Sequence, residues 1–241
     1  RVSIPLNAPG ATGGGADLRP FALQWHRGQL YVGIVNSAES AGATTADLLA
    51  YVYTLNPATL TFSPSPVFQF ALNYPRGNVQ TFNGVGPAAW NRWSPVFLTQ
   101  SPTSVGSYPQ PMLSGLAFDI NGNLTLGLRD RAGDQFGFFA QDNPGDPTLW
   151  EGVAGGDTLL AAITTPGDLG SGWTLESNAQ AGPFGPTAGA GNGQGPGGGE
   201  LFFGDAYPGY HDELSGGAVV QVPGHPDVVT SAFNPGIALR S

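Results

Sequence analysis

Two well-separated stretches of this chain repeat one strand–turn–strand pattern. The first is Leu23-Gln24-Trp25-His26-Arg27-Gly28-Gln29-Leu30-Tyr31-Val32-Gly33; the second is Leu116-Ala117-Phe118-Asp119-Ile120-Asn121-Gly122-Asn123-Leu124-Thr125-Leu126-Gly127. Each has apolar residues around an aromatic, a turn containing Gly, then alternation that ends on Gly. A third, looser copy runs from Gly217 to Val222, through Pro223-Gly224, to Val228 and Phe233. Repetition of a hairpin unit at intervals points to a modular all-β architecture, because one such unit cannot bury its apolar face alone.

Composition supports strands and excludes much else. Gly 38 and Pro 22 make up a quarter of the 241 residues. Inside a helix they cost about 1 and about 3 kcal/mol each, and no segment sustains a helical apolar period. There is no Lys; eight Arg face seventeen carboxylates, for a net charge of -9. Such a surface repels phosphate backbones, which excludes nucleic acid as a partner. No apolar run reaches the length of a membrane span. Cys is absent, so disulfides, thiolate metal sites and Cys nucleophiles are all excluded. With only 10% charged residues, the surface is expected to suit an extracellular or cell-surface setting. The first residue, Arg1, is not Met, and the chain reads as one domain over 1–241 that is a fragment of something longer.

Further strands are expected at Val2 to Leu6, Leu48 to Leu55, Leu60 to Phe62, Val67 to Leu72, Thr158 to Thr164, Trp173 to Glu176 and Leu201 to Phe203. Asn56-Pro57 opens a turn between two of them. Residues 73–111, dense in aromatics and Pro, read as a long ordered excursion, and residues 181–199 as a mobile or surface-draped Gly-Pro loop. Units of about 40–45 residues with four short strands are the size of propeller blades, and about five would fit this length. The expected fold is therefore all-β and β-propeller-like, open or partial, with a β-sandwich as the alternative.

A family resemblance rests on particular residues. These are Leu18-Arg19-Pro20-Phe21-Ala22-Leu23 before Gly28 to Gly33, Leu72-Asn73-Tyr74-Pro75-Arg76-Gly77, and Phe118 to Gln135. Gly197-Gly198-Gly199-Glu200-Leu201-Phe202-Phe203-Gly204-Asp205 and His211-Asp212-Glu213 complete the set. Together they resemble the β-propeller-like N-terminal region of large secreted bacterial surface proteins that carry Ig-like or collagen-adhesin B-type repeats. The resemblance implies an extracellular, repeat-built location and supplies no activity.

Several residues could carry chemistry. Arg129-Asp130-Arg131-Ala132-Gly133-Asp134-Gln135 concentrates charge after the second hairpin, on a strand expected to run on toward Phe136. Arg pairs can clamp a carboxylate or a sulfated sugar; the competing reading is an Arg–carboxylate network that orders a loop. His211, Asp212 and Glu213 could ligate a metal or exchange protons if a turn lets them converge. Trp90 and Trp93, with Tyr74 and Tyr108, are sugar-stacking candidates; otherwise they pin the Pro-rich excursion. His26 and His225, both at hairpin turns, are expected in solvent. Asp119 to Asn123 has the wrong Gly position for an EF-hand and reads as a tight turn. Calcium on loop carboxylates such as Asp142, Asp146 and Asp157 is left open as the sole cofactor. Nucleophile-elbow, zincin and phosphate-loop motifs are missing.

The expected function is a non-catalytic extracellular structural or adhesive module of a bacterial surface assembly, contacting other surface proteins or copies of itself. The alternatives are a carbohydrate-binding or carbohydrate-cleaving protein with glycan ligands, and an accessory subunit of an envelope complex.

Overall fold

The structure is a computed structural model that describes residues 2–80, 85–96, 105–136, 140–141, 145–205, 213, 215–225, 227–232 and 238–239. It is all-β. The first sheet is built from β1 (Leu18–His26), β2 (Gln29–Asn36), β3 (Leu49–Asn56), β4 (Thr61–Phe62) and β5 (Phe68–Ala71). These are sequential antiparallel neighbours, with β4 and β5 sharing the far edge of β3. β6 (Asn78–Gln80) pairs with β7 (Val85–Pro87), and β8 (Val105–Gly106) lies parallel to a later strand. The second sheet follows as β9 (Pro111–Phe118) and β10 (Leu124–Asp130), then, after helix α1 (Arg131–Phe136) and β11 (Glu151–Gly152, the partner of β8), β12 (Asp157–Ile163) and β13 (Trp173–Leu175). The third sheet is β14 (Ser215–Gln221), β15 (Val228–Ala232) and β16 (Ala238–Leu239).

The three repeated hairpins are thus β1–β2, β9–β10 and β14–β15, each the opening pair of its sheet. The first turn is closed by Arg27 and Gly28, whose φ values are 44° and 82°. Positive φ at both central positions is what a two-residue hairpin needs to match the twist of its strands, and Gly reaches it without steric cost. The second turn is held by Asp119, whose Oδ1 accepts from the backbone N–H groups of Asn121, Gly122 and Asn123 at 2.8–2.9 Å. That is a side-chain-closed turn, as the residue pattern suggests.

Strand alternation sorts side chains into layers. Ala22, Tyr31, Val35, Ala50, Val52, Phe68 and Phe70 of the first sheet share one core with Leu113, Leu124, Leu126, Leu128, Leu159 and Ala161 of the second. The next positions along β12, Leu160 and Ala162, face the opposite way, into a core with Leu201, Phe202 and Val228. Every residue of β12 is buried, as expected for a strand covered on both faces. The outer face of the first sheet (Val32, Ile34, Tyr51, Tyr53) is capped by Val2, Ile4, Ala8 and Ala11. That segment was expected to be a strand from Val2 to Leu6; it makes no ladder and covers the sheet side-on, with Tyr51 Oη donating to Pro9 O at 2.6 Å.

β14 approaches the second sheet at glycines. A Cβ on Gly127 would lie 2.2 Å from Gly217 O, and one on Gly115 would lie 2.4 Å from the same atom. Since the obstruction is backbone, no side-chain rotation relieves it. Gly127→Ala is expected to cost about 3 kcal/mol, at the upper end of overpacking costs, measured as a shift in the urea midpoint. An unchanged midpoint would show that β14 can move away freely.

Two further sequence expectations change. Leu201 and Phe202 form a turn and Phe203 opens a 3-10 helix, rather than a strand, because the Leu201 N–H bonds to the Glu176 carboxylate at 3.2 Å instead of to a ladder partner. The Gly-Pro loop at 181–199 is folded onto the core: Ala181 is buried, and Gly195 N donates to Pro75 O at 2.7 Å.

Candidate functional site

The densest chemistry lies where the excursion after the first sheet meets the start of β12 and the residue before β14. Tyr74 and Arg76 follow β5, Asp157 opens β12, and Glu200 and Glu213 arrive from later loops; all five are buried. The Arg76 guanidinium is the hub. Its Nη1 donates to Ala88 O at 2.5 Å, and its Nη2 to Gly155 O, Gly156 O and Glu213 Oε2 at 2.9, 2.6 and 2.9 Å. Its Nε stands 3.6 Å from Asp157 Oδ2. The guanidinium lies over the Trp90 ring, 3.7 Å from the centroid, where cation–π attraction and stacking act together. Tyr74 Oη donates to Asp157 Oδ2 at 2.6 Å and accepts from Trp90 Nε1 at 3.1 Å.

Charge balance governs this knot. Oxygens of Asp157, Glu200 and Glu213 lie within 4.8 Å of one another, and the Arg76 guanidinium stands at ion-pair distance from Asp157 and Glu213. Burial, with Glu200 and Asp157 nearby, pushes the Glu213 carboxyl well above its ordinary range despite the ion pair with Arg76. Burial pushes Glu176 up to about 8, although it accepts from Leu160 N and Leu201 N. Burial, followed by the Asp157 charge, raises Tyr74. Burial alone would lower Arg76, but Glu213 and Asp157 more than offset this and raise it. The three carboxylates are the set that could ligate a metal, yet Arg76 occupies ion-pair distance from two of them, so the chain supplies its own counter-charge. Of the loop carboxylates left open for calcium, Asp157 belongs to this knot. Asp146 instead accepts from Thr148 N at 2.8 Å, and Asp142 lies outside the described residues.

The charged run after the second hairpin serves the fold. Arg129 pairs with Asp134 on the surface. Asp130 is buried and accepts from Gln110 N, Ala132 N and Gly155 N at 3.0, 2.9 and 3.2 Å. Burial, opposed by these N–H groups, raises its pKa. By accepting from Ala132 N it caps α1, so the strand stops here rather than running on to Phe136. Asp130→Ala is expected to cost about 2–3 kcal/mol, because it strands buried N–H donors as well as removing the cap; thermal unfolding checks this. Arg131 bonds Gln110 Oε1 and sits 4.7 Å from the Trp93 ring centroid, and Arg19 lies 5.8 Å from the same ring.

Trp90 and Trp93, candidates either for sugar stacking or for pinning the Pro-rich excursion, point into the fold. Both rings are buried, and their indole N–H groups bond inward to Tyr74 Oη and Pro111 O. The structure joins Trp90 to Glu213 through Arg76, a residue the sequence did not single out for chemistry. Its pairing with Glu213 spans 137 positions, and no local pattern signals such a contact. His211 and Asp212 lie outside the described residues. His26, expected in solvent, is partly buried and stacks on Phe118 with ring centroids 4.3 Å apart; His225 is exposed, as expected. Beside His26, Arg27 donates to Gly167 O and Ile120 O at 2.8 and 3.0 Å, tying the first hairpin turn to the second.

No family model matches this chain, and no solved structure matches it. It is similar to three proteins of Dictyostelium discoideum. Colossin-A is 29% identical over 220 residues, covering 90% of this chain and 2% of Colossin-A. Colossin-C is 28% identical over 241 residues (96% and 20%), and Colossin-B 26% over 236 residues (90% and 6%). The chain spans a fifth or less of the length of each. These relatives are eukaryotic, which overturns the expected kinship with bacterial surface proteins bearing Ig-like or collagen-adhesin repeats. What the similarity identifies is a unit that matches nearly end to end within much longer Colossin chains.

Proposed function

We propose that this chain is a non-catalytic structural module, built of successive blade-like sheets and working as part of a longer protein. The observation that carries the reading is how its reactive side chains are used. Arg76, Asp130, Asp157, Glu213 and Trp90 are buried and bonded to one another or to backbone between the layers. The relatives support modularity, since each aligns with most of this chain inside a much larger whole.

The architecture fits an open, propeller-like stack. The three larger sheets are antiparallel, and their first strands meet: β1 lies against β9, and β9 against β14. Blades fanned about an axis approach one another in this way. A sandwich is the second reading, favoured by the single core that the first two sheets share. Composition favours an extracellular setting, which labelling of intact, unpermeabilised cells would test.

The functional test is a glycan array combined with a panel of glycoside, ester and peptide substrates, using the purified chain. The expected result is no saturable glycan binding and no turnover, alongside cooperative unfolding. Turnover abolished by a single Asp or Glu substitution that leaves unfolding unchanged would overturn the reading.

A further inference from the structure

The turns of the three repeated hairpins converge on one cavity of about 620 Å³. His26 comes from the first, Asp119 to Asn121 from the second, and Val222 to His225 from the third. Leu160, Phe202 and Val228, buried members of the core between the second and third sheets, also line it, together with Phe118 and Phe184. At the β9–β10 and β14–β15 turns, Ile120 is 85% and Val222 39% exposed.

The lining is mainly apolar, and Asn121, Asn123, Thr125, Gln221 and His225 join it as polar side chains. It contains no Arg or Glu among the described residues. Its carboxylate, Asp119, is already satisfied by three backbone N–H groups and by Asn123 Nδ2 at 2.6 Å. Burial, then the Arg27 charge, lowers the His26 pKa, so the imidazole is neutral at neutral pH. Its Nε2 has no hydrogen-bond partner among the described residues. A volume of this size, with mainly apolar walls, is that of a small-molecule site.

We infer that this cavity binds an uncharged small molecule with an apolar body and a single hydroxyl, a long-chain or aromatic alcohol. The Phe and aliphatic side chains take the body, and His26, the lining residue with an unbonded ring nitrogen, is the partner for the hydroxyl. An anionic ligand would lose its hydration beside Asp119 without gaining a counter-charge. The inference does not rest on the structural reading: a module without turnover can carry a ligand.

The test titrates the full chain with N-phenyl-1-naphthylamine, an uncharged apolar fluorophore, and displaces it with 1-decanol or with decanoate. Saturable micromolar binding is expected, reversed by the alcohol and about tenfold less readily by the carboxylate. Val222→Trp, at the exposed edge, and Leu160→Phe, at the buried wall, are each expected to weaken dye binding about tenfold or more. Thermal unfolding of each variant separates a filled cavity from a lost fold. No saturable binding, equal displacement by decanoate, or undiminished binding in both folded variants would overturn the inference.

Discussion

Replacing Arg76 by Met is expected to lower the unfolding free energy by about 3–5 kcal/mol at pH 7.5, the usual cost of breaking a buried charge pair from one side. The substitution keeps apolar contact with Trp90 but removes the cation at ion-pair distance from Asp157 and Glu213. It also strands the carbonyls of Ala88, Gly155 and Gly156, which the guanidinium now serves. The defect has a pH signature. Without Arg76 the Glu213 carboxyl, already raised by burial, rises further, so the variant should regain part of its deficit as pH falls toward about 5 and a proton replaces the cation. Urea unfolding followed by Trp fluorescence at pH 7.5 and pH 5 measures both numbers. A deficit of equal size at the two pH values would mean that the guanidinium acts by shape and backbone hydrogen bonding rather than by charge.

Titration of Glu176 predicts the second large effect, in the unmodified protein. Its carboxyl is raised from 4.5 to about 8 by burial. The folded state therefore holds a proton that the unfolded state releases between those two values. Stability from this group is fully present below about pH 4.5, falls as pH rises, and is gone above about pH 8. The shift corresponds to about 5 kcal/mol across the window. Glu213 and Asp130, raised by burial in the same direction, add to the slope. Unfolding free energies between pH 5 and pH 9 should therefore decline steadily, and Glu176→Gln should flatten the decline while lowering stability at pH 5, because one of its two backbone partners meets an amide NH2. A profile flat from pH 5 to pH 9 would show that water or motion relieves the burial.

Much of the fold was legible because hairpins are local. Arg27-Gly28 and Asp119 to Asn123 turn the chain for reasons contained in a few adjacent residues, and the flanking alternation sets which side chains face a core. β3, β5, β12 and β13 lie close to their expected bounds for the same reason. The misses share another cause. Val2 to Leu6 and Leu201 to Phe203 have strand-like apolar content, but their backbones find partners other than a ladder: Leu201 bonds the Glu176 carboxylate, and the segment around Pro9 caps a sheet face. The strand expected to reach Phe136 stops because the Asp130 side chain competes as a helix cap.

The candidate site was legible in residue type and not in arrangement. Glu213 was singled out as a metal or proton-exchange candidate and Trp90 as a sugar-stacking platform or a pin of the excursion, and both are buried against Arg76. The cavity at the hairpin turns was invisible as well, although His26 and His225 sit in two of the turns that form it.

By itself, the sequence determined an all-β chain of repeated hairpins that lacks Cys and Lys, because turn chemistry, alternation and composition act over a few residues at a time. Only the tertiary structure decided which sheets pack, that Arg76 holds them through carboxylates far away in the chain, and that three hairpin turns enclose one apolar cavity. Those outcomes depend on burial. Burial is set by segments distant in sequence, and it decides whether a charged or aromatic side chain is a surface group or part of the framework.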